Sequence, residues 1–523
     1  MSSTGENEDL EQFGDEHLGG KGQAMDGRDG GTSVDHPLSQ LTAEEITAAV
    51  ALARTDARIG EGAKFAYIGL EEPRKERVRG YTSGEQLDRE VRLLVVPGPK
   101  VSVFDIVVSV TAGEVRSFVE KEGVSPPLLF EESLGAILAL QAHPDWQAAM
   151  KRRGIDDLEN VQIDPWPAGS FGEVHEEGRR ICRCIGFVRE SPEDNGYARP
   201  IEGVVGFVDM GRDEVLEVVD TGLVPLPPEA GSYYLEDVGE PRRDLRPIEI
   251  TQPEGPSFVV DGNHVRWQRW SFRVSMDPIE GLVLHDIAYE DKGRRRPIIY
   301  RASVSEMVVP YGDPGPMHGW KSAFDAGEWG LGRMANSLTL GCDCLGEIFY
   351  FDVDRADERG GAQTLPNAIC MHEEDYGILW KHVDLSTGRT EVRRSRRLVV
   401  SSIATVGNYE YGFYWYLYLD GSVQFEVKLT GILSTRAVPP GEAPRFASMI
   451  APQLAAPYHQ HLFNVRLDME VDGPANTVYE VDSQGLAPGP ENPYGNTFEA
   501  RETRLASELE ARRVVDPSVS RYW

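Results

Sequence analysis

A histidine pair, one carboxylate and one tyrosine are the side chains here whose type and setting suit redox or proton-transfer chemistry. His459 and His461 stand two apart in PYHQHLF. Residues two apart on a strand project to one face, so the two imidazoles would converge on a point. Neutral imidazole is a good ligand for copper or zinc, but two nitrogens do not close a site, and such pairs also occur as ordinary surface or core histidines. Asp325 lies in AFDAGEWG, beside Phe324 and Trp329 and among glycines that let backbone come close. Buried there, its pKa would rise and it could act as a general base; the alternative is a carboxylate that only stabilises a turn. Tyr409 sits in an aromatic run, where the default is a packed ring with its hydroxyl bonded at the edge.

The run carrying Tyr409, from Ser401 to Leu433, alternates side chains as paired strands do. It is expected to form one long hairpin turning at Asp420-Gly421. From residue 257 to 523, short strands with regular Gly, Asp and Pro turns point to a large antiparallel β-sandwich, where the chemistry should sit. Two smaller α+β units precede it, at 36–123 and 126–224, and an extended linker rich in Pro and acidic residues follows them at 225–256. In the first unit Ser39 or Thr42 can cap the opening helix, Glu45 following Thr42 at the spacing of a capping box. In the second, Pro144 divides LLFEESLGAILALQAHPDWQAAMKRRG into two helices. Residues 1–34, acidic and glycine-rich without apolar periodicity, read as a disordered tail. The fold class is therefore α+β.

The chain carries 85 acidic against 53 basic residues, a net charge of −32. No basic stripe is available to neutralise phosphates, which excludes a nucleic-acid partner and favours a cationic small substrate. Acidity spread along the whole chain, with Arg outnumbering Lys, suits a protein working in concentrated salt as well as an ordinary acidic enzyme. No stretch approaches the ~18 to 20 consecutive apolar residues of a membrane span, and the N-terminus lacks a secretory pattern, so a cytoplasmic, membrane-free location is expected. Five cysteines are too few for a disulfide framework. Cys182 and Cys184 fit no zinc spacing and read as packed strand residues.

In combination, Thr405 with Asn408-Tyr409-Glu410, His459-Gln460-His461, AFDAGEWG and NAICMHEEDYGILWKH closely resemble the copper-containing primary amine oxidases. The resemblance runs from about His36 onward. It implies that Tyr409 is oxidised by copper and dioxygen to topaquinone, that Asp325 is the catalytic base, that Tyr311 hydrogen-bonds the quinone and that Asn408 orients it. It further implies that His459 and His461 are two of three copper ligands, and that Asp468 with the Met469 carbonyl forms part of a peripheral calcium or sodium site. Cys344 and Cys370 would pair as a disulfide with Cys342 free, and Ala323 would stand where the family varies a channel gate. The implied reaction takes a small primary amine, O2 and water through a topaquinone Schiff base to aldehyde, ammonia and hydrogen peroxide, in a homodimer with long hairpin arms. GPANTVYEVDSQGLAPGPENPYGNTF looks like one such arm.

The family's third copper histidine lies downstream of the pair, and no histidine follows His461. The sandwich is accordingly expected to be incomplete at its C-terminal end, and this chain alone to make little or no topaquinone. The competing reading is a non-catalytic fragment or binding protein of the same fold.

Overall fold

The computed structural model describes residues 35–98, 102–167, 169, 171–172, 176–240 and 242–523. The tail expected at 1–34 lies outside them. Helix α1 (Ala43–Ala53) opens the first unit. Its capping box forms as the sequence indicates, Thr42 Oγ1 accepting from the Glu45 amide at 3.2 Å and Glu45 Oε2 from the Thr42 amide at 3.1 Å. Ile46, Ala49 and Val50 of α1 pack on a four-stranded sheet ordered β1 (Lys64–Leu70), β2 (Glu90–Val96), β3 (Ser102–Ser109), β4 (Glu114–Glu122). The short α2 (Lys75–Arg79) lies between β1 and β2 in sequence.

The second unit repeats the plan. Helices α3 (Phe130–Ala142) and α4 (Pro144–Arg152) meet at His143, whose side chain caps α4, with Pro144 in the first turn where its missing N–H costs nothing. They cover the sheet β5 (Val161–Pro167), β6 (Ile181–Val188), β7 (Pro200–Asp209), β8 (Glu214–Asp220). Cys182 and Cys184 of β6 are fully buried against Trp146 and Leu140, their sulfurs 3.6 Å apart, and they pack as apolar residues. Among its described residues the following stretch holds the short α5 (Leu235–Val238), and it reaches the sandwich where Gln252 and the Ser257 amide bond to Glu373.

Two antiparallel sheets make the sandwich. One runs β9 (Phe258–Asp261), β10 (His264–Trp267), β11 (Trp270–Asp277), β12 (Gly281–Asp291), β13 (Arg294–Pro310) and β14 (Ser322–Ala323), and α6 (Asp325–Trp329) follows it. The other runs β15 (Ile348–Ala356), β16 (Ala362–Val383), β17 (Thr390–Val406), β18 (Tyr409–Tyr418), β19 (Val423–Gly431). Strand β11 alternates buried and half-buried positions. Trp267, Trp270 and Phe272 of the first sheet face Met371, Leu398, Val400, Trp415 and Leu417 of the second in one core. Short strands β20 (Arg436–Ala437), β21 (Ala447–Ala451) and β22 (Leu454–Pro457) lead to β23 (Leu462–Met469), which pairs with β13.

The run from Ser401 to Leu433 is not one hairpin but parts of three strands. β18 and β19 do turn at Asp420-Gly421, yet the arm before them folds a second time at Gly407-Asn408, so β17 and β18 pair from Val406↔Tyr409 outward. The buried positions shift phase across that turn, from Ala404 and Val406 to Tyr409 and Tyr411. The expected arm forms a hairpin of β24 (Val478–Gly485) and β25 (Phe498–Leu505), mostly exposed. A second projection appears at the distal ends of β16 and β17, where Tyr376, Ile378, Leu379 and Trp380 are exposed.

Candidate active site

The turn at Gly407-Asn408 fixes Tyr409. Gly407 takes a positive φ of 59°, which glycine adopts without strain. Thr405 and Glu410 stand opposite each other, and the Thr405 hydroxyl donates to the Glu410 carboxylate at 2.9 Å while accepting from Asn336 Nδ2 at 3.0 Å. Asn408 Nδ2 donates to the Ile432 carbonyl at 2.6 Å, and the Ile432 amide returns a bond to the Asn408 carbonyl at 2.7 Å. At Gly431 a Cβ would meet that same carbonyl oxygen at 2.6 Å, so only glycine lets β19 come this close. Thr405, Asn408 and Glu410 thus lock the strand start that aims the tyrosine ring.

The Tyr409 hydroxyl lies 3.0 Å from the Tyr311 hydroxyl and 3.0 Å from His459 Nε2. His459 and His461 fall in the connection between β22 and β23 rather than inside a strand, His459 forming a single bridge to Tyr311. Their rings still converge as the sequence spacing indicates, with centroids 5.0 Å apart and both against Tyr409. His459 Nδ1 donates to the Pro457 carbonyl at 2.9 Å, which leaves Nε2 unprotonated as an acceptor facing the Tyr409 hydroxyl. The His459 ring also stacks on Tyr311, centroids 4.8 Å apart.

Asp325 opens α6 and is 5% exposed. Burial, with Glu306 adding repulsion, pushes its carboxyl up to about 6 against the stabilising hydrogen bond from Tyr411. That bond, Tyr411 Oη to Asp325 Oδ2, is 2.7 Å. His461 Nδ1 lies 3.2 Å from the same Tyr411 oxygen. Since Tyr411 gives its proton to the carboxylate, His461 Nδ1–H donates to Tyr411 and His461 Nε2 is free. Burial holds His461 down to about 4, so the ring is neutral and fit to ligate.

The described geometry thus joins Tyr409, Tyr311, Asp325, His459 and His461, with Asn408 anchoring the turn and Ala323 lining the adjoining cavity. Sequence reasoning missed Tyr411, although its position two residues after Tyr409 on one strand could have signalled a shared face. It also missed Glu306 and Glu328: Glu328, pushed up to about 7 by burial, accepts from the Phe324 amide at 2.8 Å, and Glu306 accepts from the Gly327 amide at 3.1 Å. No periodic pattern brings strand β13 to the start of α6.

Two imidazoles with unprotonated Nε2 atoms beside a tyrosine hydroxyl suit copper in kind and orientation, and among the described residues no third His, Cys, Asp or Glu joins them. At the expected peripheral cation position Asp468 pairs with Lys75, and Glu470 beside it pairs with Arg79. Cys344 and Cys370, the expected disulfide pair, share a buried cluster without a bond between them, and Cys342 is exposed.

Residues 259–523 match the family described as copper amine oxidase, enzyme domain; residues 42–118 match the AGAO-like N2 domain and 135–235 the copper amine oxidase N3 domain. The chain is 48% identical to histamine oxidase of Arthrobacter globiformis over 94% of its own length and 72% of that protein's. The chain belongs to the copper amine oxidase family. This copper amine oxidase is also 48% identical to the primary amine oxidase of Arthrobacter sp. (strain P1), covering 75% of it. Its fold superposes on a copper-containing benzylamine oxidase from Hansenula polymorpha with a TM-score of 0.80 at 31% identity, across 90% of this chain and 76% of that one. Among the described residues no helix is long and apolar enough to cross a membrane.

Proposed function

We propose that the protein oxidises small primary amines with O2 and water to aldehyde, ammonia and hydrogen peroxide, with Tyr409 as the precursor of a topaquinone. The observation that carries this reading is the Tyr409 hydroxyl held 3.0 Å from both Tyr311 and His459 Nε2. His459 and His461 would hold copper through their unprotonated Nε2 atoms, and copper with the quinone supplies the redox chemistry when bound. Asp325 is the base for the amine's α-proton, and a carboxyl near 6 is ionised at neutral pH yet basic enough to accept it. Tyr411 keeps Asp325 pointed and partly charged, Tyr311 holds the oxygen on Tyr409, and the Trp166 and Trp329 walls keep water scarce.

The protein, supplied with copper(II) in air, should release peroxide from a primary amine and bind phenylhydrazine covalently at the Tyr409 peptide. Absence of both would refute the assignment. The exposed apolar projection at 376–380 and the β24–β25 hairpin support a homodimer whose arms reach across; sedimentation as a monomer would count against it.

A further inference from the structure

Lys321 is a buried cation that proton transfer at Asp325 leaves unused. It stands in the connection from β13 to β14, is 2% exposed, and its Nζ has no hydrogen-bond partner among the described residues. The carboxylates near it are engaged elsewhere: Arg436 pairs with Asp313 and lies 3.5 Å from Glu202, and His318 Nε2 lies 3.7 Å from the same Glu202 oxygen. Aromatic faces surround the ammonium instead. Its Nζ is 4.6 Å from the ring centroid of Trp166, 5.5 Å from that of Tyr311 and 5.9 Å from that of Trp320. Ring quadrupoles attract a desolvated ammonium placed in this way.

These rings lead to the reacting atom. Trp166 meets Tyr311 edge-on, centroids 5.7 Å apart, and Tyr311 stacks on His459. The Tyr311 hydroxyl is bonded to that of Tyr409, and Trp166, Tyr311 and Asp164 line the cavity of about 250 Å3 beside it. The Tyr311 amide donates to the Lys321 carbonyl at 3.1 Å, so the main chain and the ammonium of Lys321 hold the same tyrosine. Trp166 comes from β5 of the second unit, so one cation joins rings of two units. The charged groups facing it are Glu202 on β7, Asp164 on β5, Arg436 on β20, and Asp313 and His318 on its own connection. Burial lowers the ammonium to about 8 against the pull of Glu202, Asp164 and Asp313, and burial likewise lowers His318. Lys321 is therefore charged at neutral pH and loses its charge just above it.

We propose, on the amine oxidase reading above, that Lys321 is a positioning residue for Tyr409: its ammonium, seated on Trp166 and Tyr311, holds the Trp166, Tyr311 and His459 rings in register and so keeps the Tyr311 hydroxyl on the Tyr409 oxygen. When the ammonium loses its proton the attraction to the rings goes with it, and the stack loosens.

The test compares the wild type with Lys321→Met, which keeps the length of the side chain without its charge, and Lys321→Arg, whose charge does not titrate in the working range. Near-ultraviolet circular dichroism of the copper-free protein reads the packing of the rings. The wild type should show a transition centred at about 8, with its far-ultraviolet signal unchanged. Lys321→Met should show the alkaline spectrum already at neutral pH and no transition, and Lys321→Arg should keep the neutral spectrum throughout. In peroxide release from a primary amine, the wild-type kcat/KM should fall about 10-fold across the same transition, the worth of one desolvated cation–π contact. Lys321→Met should be lower by that factor at neutral pH and lack this alkaline limb, and Lys321→Arg should restore most of the rate. A wild type without the spectral transition overturns the proposal whatever the variants do. So does a Met variant with the wild-type spectrum and pH profile, or an Arg variant no better than Met. If the wild type oxidises no amine at all, the amine oxidase reading fails, and the spectral transition still decides for or against Lys321.

Discussion

Replacing Tyr411 with Phe tests the connection between the base and the histidine pair. The Tyr411 hydroxyl donates to Asp325 Oδ2 at 2.7 Å and so favours the carboxylate over the acid, while burial works the other way and leaves the group at about 6. A hydrogen bond to a charged group is worth about 1.5 to 3 kcal/mol. If neighbouring dipoles recover half of the upper figure, about 1.5 kcal/mol remains, which moves the titration by about one pH unit. The sign is fixed: a lost donor destabilises the anion, so the acid limb of the kcat/KM profile moves to higher pH. At pH near 6 the ionised fraction falls from about one half to about one tenth, a loss of roughly fivefold in kcat/KM, and at high pH the two enzymes converge. Initial rates of peroxide release from about pH 5 to about pH 9 measure this directly. An acid limb at unchanged pH, in a variant with native circular dichroism, would refute the assignment of Tyr411 as the group tuning Asp325.

Asp325→Asn should lower kcat/KM by about 100- to 10,000-fold at every pH, because no ionisation restores a base; stopped-flow reduction by substrate checks that the loss is in proton removal. His459→Ala leaves Tyr409 without its nitrogen neighbour, and copper content by elemental analysis together with phenylhydrazine labelling should both fall to background. Thr405→Val strips the Glu410 carboxylate of its hydroxyl partner and should cost about 1 to 3 kcal/mol in denaturant unfolding, with any loss of quinone formation following from a misplaced Tyr409. A change below about 0.5 kcal/mol would show that the cross-strand pair does not hold the turn.

Much of the architecture was legible because it is written locally. The capping box at Thr42 and Glu45, the helix break at Pro144 and the β18–β19 turn at Asp420-Gly421 each depend on a few adjacent residues, and each formed as read. The turn at Gly407-Asn408 was passed over although Gly-Asn is itself a local turn signal; what anchors it lies elsewhere. Its hydrogen bonds go to Asn336 and Ile432, remote in sequence, so no local pattern reports them. The partner of Asp468 was hidden for a similar reason: the lysine that pairs with it comes from α2, almost four hundred residues earlier.

By itself the sequence determined the reactive residue types and their spacing along the chain: a tyrosine in an aromatic run, two histidines two apart, an aspartate among aromatic and glycine residues. Residue chemistry and short-range geometry suffice for that. Only the tertiary structure decided the environment of each group. The hydroxyl of Tyr411 reaches Asp325 because β18 packs against the start of α6, and Asp164 enters the same cavity because the second unit docks on the sandwich. Burial and neighbouring charge set pKa values and ligand preference, and both are sums over residues distant in the chain. The identity of the base was therefore readable in the sequence, whereas its tuning and the second carboxylate facing it were not.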